Sequence, residues 1–476
     1  VLSGAEALNL QAASADNAGG TVASRGDIDV DVAGALNNAA GTLSAGGQLI
    51  VMSASLDNSA QGLLTSGGNL LLDTGAINNR GGQLLSQREL QIAAGDIDNR
   101  HGVIGSEQAL QLQAARVDNQ AGLINSADSL ALTATTLDSS DQGEVSAQQA
   151  LVLSVNQLIQ RQGRLIAGTA LSLDLHDGSL DNRGGLISAQ GPLTLANLRS
   201  LDNRGGELSS DASFLVRAER IDNGDQGRII SAGTLSLEAV TLRNAGEGLL
   251  SGWQGLDVTG GSLDNSGKGT LSSRNGALSV ELSGALDNSA EGALASQGDL
   301  RVEAASLDNS AKGILSTEGR LDLTLAGDLD NHDQGLLSAA GAVAIQARDV
   351  NNGAGQITGH SLLLTGRNLD NSAGQLSSDT TLSLNLLGTL SNTQQAQLAS
   401  GANLLLRAGA VDNRGGTLVS RGLLDVIAGS FNNSAGGTLA AQQALSIALS
   451  GALDNSQDGL IYSLDDQLSL QAGSIN

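Results

Sequence analysis

The feature that most constrains this chain is a tripeptide, Leu-Asp-Asn or a close variant, that recurs from one end to the other. Its last residue falls at 23 positions between Asn17 and Asn476, spaced 19 to 23 residues apart, and is asparagine everywhere except Ser139 and Gln160. Self-similarity at a fixed period of about 20 residues marks a solenoid, in which each repeat buries its apolar face on the next. No segment escapes the period, so residues 1–476 read as a single continuous repeat region without a linker or second domain.

The pattern inside each repeat selects the kind of solenoid. In the repeat ending at Asn309, the residues Leu294, Ser296, Leu300, Val302, Ala304 and Leu307 alternate within short runs, and Leu418, Ser420, Leu424, Val426, Ala428 and Phe431 do the same before Asn433. Alternation is the periodicity of strands. The phase resets at two or three corners where glycines cluster, and glycine takes up positive φ most readily. A helical solenoid needs a 3.6-residue period over ten or more residues, which is absent. Leucine-rich repeats share the period but require a convex segment and a different leucine spacing. The expected fold is therefore all-β: a parallel β-helix with three short strands per coil and about 23 coils of about 21 residues, stacked about 4.8 Å apart.

Composition fits a narrow aliphatic core. Only Phe214, Phe431, Trp253 and Tyr462 are aromatic, and both phenylalanines take inward leucine positions, where each should displace its neighbours. The Leu-x-Asn alternation turns the asparagine inward. A buried amide must be hydrogen-bonded, and identical amides stacked coil on coil can satisfy one another. The predicted structural ladder includes Asn58, Asn79, Asn99, Asn119, Asn182, Asn203, Asn223, Asn265, Asn288, Asn309, Asn331, Asn371, Asn413, Asn433 and Asn455. An aspartate precedes 15 of the 23 positions and should point outward as a solvated acidic stripe, one like charge above another. The coils ending at Ser139 and Gln160 keep inward Leu151, Leu153, Val155 and Leu158, and read as degenerate coils rather than a break.

Several function classes are excluded. The net charge is −25 and only Lys268 and Lys312 are lysines, so the basic footprint of a nucleic-acid binder is missing. Without cysteine there is neither a disulfide framework nor a thiolate metal site. No apolar run approaches the roughly 20 residues of a membrane span. The histidines His101, His176, His332 and His360 fall in distant coils, and no long loop forms a cleft. No catalytic, cofactor or metal residue is assigned, and no cofactor is expected. Weak binding candidates remain at the corners. Arg25-Gly26-Asp27 forms an adhesion-type tripeptide, although equivalent corners read Gln297-Gly298-Asp299 and Arg421-Gly422-Leu423. Trp253 and Tyr462 are expected to be exposed, too far apart to make a patch.

Units such as Leu180-Asp181-Asn182-Arg183-Gly184-Gly185-Leu186-Ile187-Ser188 resemble the repeat of filamentous haemagglutinins, and the resemblance covers essentially the whole chain. Such repeats occur in two-partner secretion exoproteins of Gram-negative bacteria, both adhesins and CdiA-type contact-dependent growth inhibition effectors. The resemblance implies a right-handed parallel β-helix, secreted to the cell surface. There it would be a structural stalk that projects a distal adhesive or toxin-bearing region. It implies an outer-membrane two-partner transporter as partner, engaged through a domain outside this segment, and a receptor on the target cell. The alternatives are an adhesin segment that binds a receptor through its exposed corners and, more remotely, a polysaccharide-acting β-helix enzyme. Absence of cysteine suits a chain exported unfolded. Val1 and Ser3 at one end and Asn476 at the other occupy repeat positions with no capping segment, so a section of a much longer protein is expected.

The sequence makes a dimensional prediction. Small-angle scattering should give a rod about 110 Å long, from 23 coils at about 4.8 Å each; a compact particle would refute the architecture.

Overall fold

The computed structural model describes all residues from Val1 to Asn476, and every regular element in it is a strand. The chain divides into two units, Val1–Glu238 and Ala239–Asn476. Each is a parallel β-solenoid, with about 23 turns in all, about 21 residues apart.

In the first unit each coil after the first opens with a four-residue strand. Thr42–Ala45 pairs in parallel with Leu63–Ser66, Leu43 opposite Leu64 and Ala45 opposite Ser66. The second residue of each such strand points inward, as Leu43, Leu64 and Leu84 do, and the fourth is a small inward Ser or Ala. A bend then leads into a longer strand, such as Leu49–Asp57 or Leu70–Asn78. There Leu70, Leu72 and Ile77 are buried, stacked against Leu90, Ile92 and Ile97 of the next coil. Aliphatic side chains thus form continuous columns, each burying its neighbour's methyl groups from water.

The expected three strands per coil hold with a refinement. In most first-unit coils the second and third segments run together as one strand of nine to eleven residues, as in Leu151–Ile159 and Leu171–Asp181. The corner between them is a bend in extended backbone, so hydrogen bonding to the next coil continues through it. In the second unit they mostly separate, as in Leu300–Ala304 followed by Ser306–Asp308. Register is otherwise the same: Leu300 pairs with Leu321, and Leu307 with Leu329.

Both phenylalanines are buried at leucine positions. Phe431 pairs between the smaller Val411 and Leu453 without loss of register. Around Phe214 the outcome differs, because pairing with the preceding strand begins only at Ser200 opposite Arg220.

The corner glycines play a different part from the one the sequence suggests. The two left-handed positions after the ladder residue are mostly not glycine: Ala40, Ala60, Gln61, His101 and Ala121 all have φ between 53° and 69°. The recurrent glycine is the next residue, just before the four-residue strand. At Gly82 a Cβ would lie 1.9 Å from the Asn58 carbonyl oxygen and 2.7 Å from Asn79 Oδ1. Glycine is needed there because the backbone of the previous coil passes too close for any side chain.

Ala396 breaks this rule. It is fully buried, and the bond from Asn392 Nδ2 to its carbonyl stretches to 3.5 Å, against 3.0 Å from Asn433 to Gly437. Ala396→Gly should raise the melting temperature. Gly82→Ala should lower stability by about 3 kcal/mol or more, the range of severe steric substitutions. Thermal unfolding followed by circular dichroism checks both, and equal melting temperatures would disprove the steric account.

Candidate functional site

The one constellation repeated in every coil is the corner around the ladder residue. In the first unit, side-chain amides form a chain from Asn17 through Asn38, Asn58, Asn79 and Asn99 to Asn119. Each Nδ2 donates to the Oδ1 of the next coil at 2.7–2.8 Å. In the second unit the chain runs unbroken from Asn244 to Asn455. From Asn38 to Asn433 these residues are at most 1 % exposed. The same Nδ2 also reaches backbone oxygens. Asn58 donates to Gly62 at 3.0 Å and to Gln83, a coil further on, also at 3.0 Å.

The degenerate coils differ in their consequences. Ser139 keeps its place, accepting from Asn119 Nδ2 at 3.1 Å. Gln160 does not. Its side chain is fully buried, yet neither Nε2 nor Oε1 has a hydrogen-bond partner, and Asn182 Oδ1 is left without a donor. The coil itself continues, because Leu151, Leu153 and Leu158 remain in the core and the backbone pairing persists. The amide chain, however, is interrupted there and resumes from Asn182 to Asn203 at 2.7 Å.

The aspartate before the ladder residue is a turn component, not only a surface charge. Asp57 Oδ1 accepts the backbone N–H of Ser59 at 3.0 Å, and Asp98 that of Arg100 at 3.1 Å. Where arginine follows the ladder residue, it grips the same carboxylate at both oxygens, 2.9 and 2.7 Å from Arg204 to Asp202. In several coils where serine follows, its hydroxyl donates instead, as Ser266 does to Asp264 at 2.6 Å and Ser289 to Asp287 at 2.7 Å. The arginines also lean toward the next coil, with Arg100 Nε 3.6 Å from Asp118 and Arg183 Nε 3.5 Å from Asp202. In those coils the acidic stripe is partly neutralised rather than a bare column of like charge. The signal lay in the recurring Asp-Asn-Arg and Asp-Asn-Ser triplets, which the reading by alternation passed over.

The protonation of these groups follows from their partners. The Arg100 guanidinium holds the Asp98 carboxyl below the usual range, and Arg414 does the same for Asp412. At Asp181 burial pushes upward, but hydrogen bonds from Arg183 and Arg161 outweigh it, so the net shift is downward. Asp118 is the reverse case, raised by burial. His332 is raised by the Asp330 carboxylate 2.6 Å from its Nδ1.

The other sequence candidates lie apart from one another. Arg25 is exposed on the bend after Thr21–Ser24, and Asp27 is exposed as the first residue of the strand Asp27–Asn37. Asp27 Oδ1 accepts the backbone N–H of Gln48 at 2.8 Å, as Asp299 accepts that of Arg320 at 2.9 Å. A Cβ at Gly26 would lie 1.5 Å from the Glu6 carbonyl oxygen, so the tripeptide is built into the stacking of coils. Trp253 is half exposed on the bend between Leu249–Gly252 and Gly255–Asp264. Tyr462 is less exposed than expected, because its strand packs beside Ala440 of the previous coil.

One polar cluster was not anticipated. A two-residue excursion at His176 and Asp177 brings His176 Nε2 within 2.8 Å of Ser154 Oγ, while Asn197 Nδ2 donates to Asp174 Oδ1 at 2.8 Å. The aspartate lies 3.7 Å from His176 Nδ1 and instead accepts the His176 backbone N–H at 3.0 Å. The relay that would orient a general base is therefore not formed, and the cluster fastens the excursion to its neighbours. No group of three or more His, Asp or Glu residues is arranged to hold a metal ion.

Two measurements follow. Asn265→Ala would take the donor from buried Asn288 Oδ1, while Asn244 Nδ2 keeps the Gly248 and Thr270 carbonyls, costing about 1–3 kcal/mol at the usual penalty per unpaired buried group; an unchanged melting temperature would remove the ladder from the list of stabilising elements. The lowered carboxyls stabilise the fold above about pH 3.9, and that stability is lost as pH falls through their lower folded values. Arg100→Gln should therefore bring Asp98 back up toward the ordinary carboxylate range in an NMR titration.

The likeness to known proteins agrees with this geometry. Comparison with curated proteins and with solved structures found no match. Seven adjacent segments, residues 1–96, 85–173, 172–239, 239–290, 275–333, 317–394 and 365–457, match the family model of the haemagglutinin repeat. With the repeat matched over nearly its full length, the chain belongs to the haemagglutinin repeat family.

Proposed function

We propose that this chain is the structural stalk of a secreted surface exoprotein, holding a distal adhesive or toxin-bearing region away from the cell that makes it. The family is one of secreted or cell-surface exoproteins with an adhesin-like, structural fold. The observation that carries the reading is uniformity: ladder positions stay 19 to 23 residues apart, and all but a few corners are spent on coil-to-coil hydrogen bonds. Such a chain gains length with each coil while adding the same surface again. On this reading the outer-membrane two-partner transporter of a Gram-negative cell engages a domain outside the segment. The target-cell receptor meets whatever the stalk projects.

Excising whole coils tests this. Removal of residues 59–119 joins Asn58 to Gln120 in register and should shorten the particle by about 15 Å, three coils at about 4.8 Å. In the full-length exoprotein on its own cells, that deletion should leave target-cell attachment in place while drawing the distal end closer to the surface. Loss of attachment on replacing Arg25 and Asp27 by alanine, in a folded protein, would favour the receptor-binding reading instead.

A further inference from the structure

Four irregularities that elsewhere occur singly or not at all fall together in the first unit. The first is the interruption of the amide chain, with Gln160 Nε2 and Oε1 and Asn182 Oδ1 buried and unpaired. The second is register. Leu151–Ile159 and Leu171–Asp181 slip between Ser154 and Gln157, and Leu171–Asp181 slips against Leu193–Asp202 at Gly178. The third is backbone strain. His176, Asp177 and Asn197, with φ of 49°, 62° and 51°, are the non-glycine residues of positive φ that lie outside the corner after a ladder position. The fourth is the absence of paired register between the first half of Leu193–Asp202 and the Phe214 end of the following strand.

We propose that the coils between Ser139 and Asn203 form a built-in seam, the first interior part of this unit to open. The physical reason is the length of one side chain. Glutamine carries the same amide as asparagine on one more methylene. At Gly163 a Cβ would lie 2.8 Å from Gln160 Nε2, whereas at Gly82 the nearest amide atom is Asn79 Oδ1 at 2.7 Å, so the longer side chain sets a donor where the others set their acceptor and neither of its polar atoms pairs. The corner thus retains its shape, its backbone pairing and its apolar columns but loses the side-chain amide bonds that join one coil to the next. On the opposite side of the same coils, slipped register removes further bonds. Buried polar groups left unpaired in the closed state regain water on opening, so the opening equilibrium shifts toward the open form here. Pulling or warming the solenoid would then release this stretch while coils 58–119 stay closed, giving the module a defined point of yield.

Hydrogen exchange on the full chain, read by mass spectrometry, tests the seam. Peptides from residues 144–202 should exchange about ten-fold or more faster than peptides from 58–119, as expected for a locally opening segment. Gln160→Asn should slow exchange in the seam and leave 58–119 unchanged. The reciprocal change Asn79→Gln should create a second fast region within 58–102. Equal protection of the two stretches in the unaltered protein would overturn the proposal. So would a Gln160→Asn chain whose seam exchanges as before, or an Asn79→Gln chain without a new fast region.

Discussion

One buried amide bond, repeated, governs the rest of the structure. From Asn17 to Asn119, from Asn182 to Asn223 and from Asn244 to Asn455, each ladder asparagine donates to the one in the next coil at 2.6–2.8 Å. Its remaining donor capacity goes to the carbonyls that frame its own corner. To bring these groups within reach, consecutive coils must approach so closely that the residue before the short strand has no room for a Cβ. The asparagine and the glycine are therefore one device. The small inward serines and alanines of the short strands belong to the same tight interior.

The device also explains which positions vary. Residues between the ladder position and the glycine number two or three, and those just before the glycine are mostly exposed and accept alanine, glutamine, aspartate, histidine or lysine despite left-handed backbone. A left-handed residue costs on the order of 1 kcal/mol, which neighbouring hydrogen bonds offset. The aspartate ahead of the ladder fixes the start of that turn by taking the N–H two residues on. Acidic charge thus accumulates as a by-product of turn chemistry, and arginine at the next outward position limits it. A net charge of −25 on a stacked, repetitive molecule also opposes association between copies.

Much of this was legible in the sequence because two periods are superposed. Alternation marks strands, and the period of about 21 marks coils. Together they fix the all-β solenoid, the inward leucine columns and the inward position of residues such as Asn265 and Asn309. The roles of Gly82 and Gln160 are only partly legible there, for one shared reason. Each depends on an atom more than 20 residues away in the chain: the Asn58 carbonyl over Gly82 and Asn182 beyond Gln160. Local pattern shows that a glycine recurs, but not whether backbone freedom or a close neighbour demands it.

The sequence by itself determined the class of fold, the length of its repeat and the identity of the core, because these follow from periodicity and from burial of aliphatic surface. Tertiary structure alone decided whether each polar group finds its partner. Ser139 and Gln160 look like equivalent lapses in the repeat, yet one hydroxyl sits within 3.1 Å of its donor while the longer amide is buried without any. Hydrogen bonds depend on tenths of an ångström and on direction, and a one-dimensional pattern carries neither.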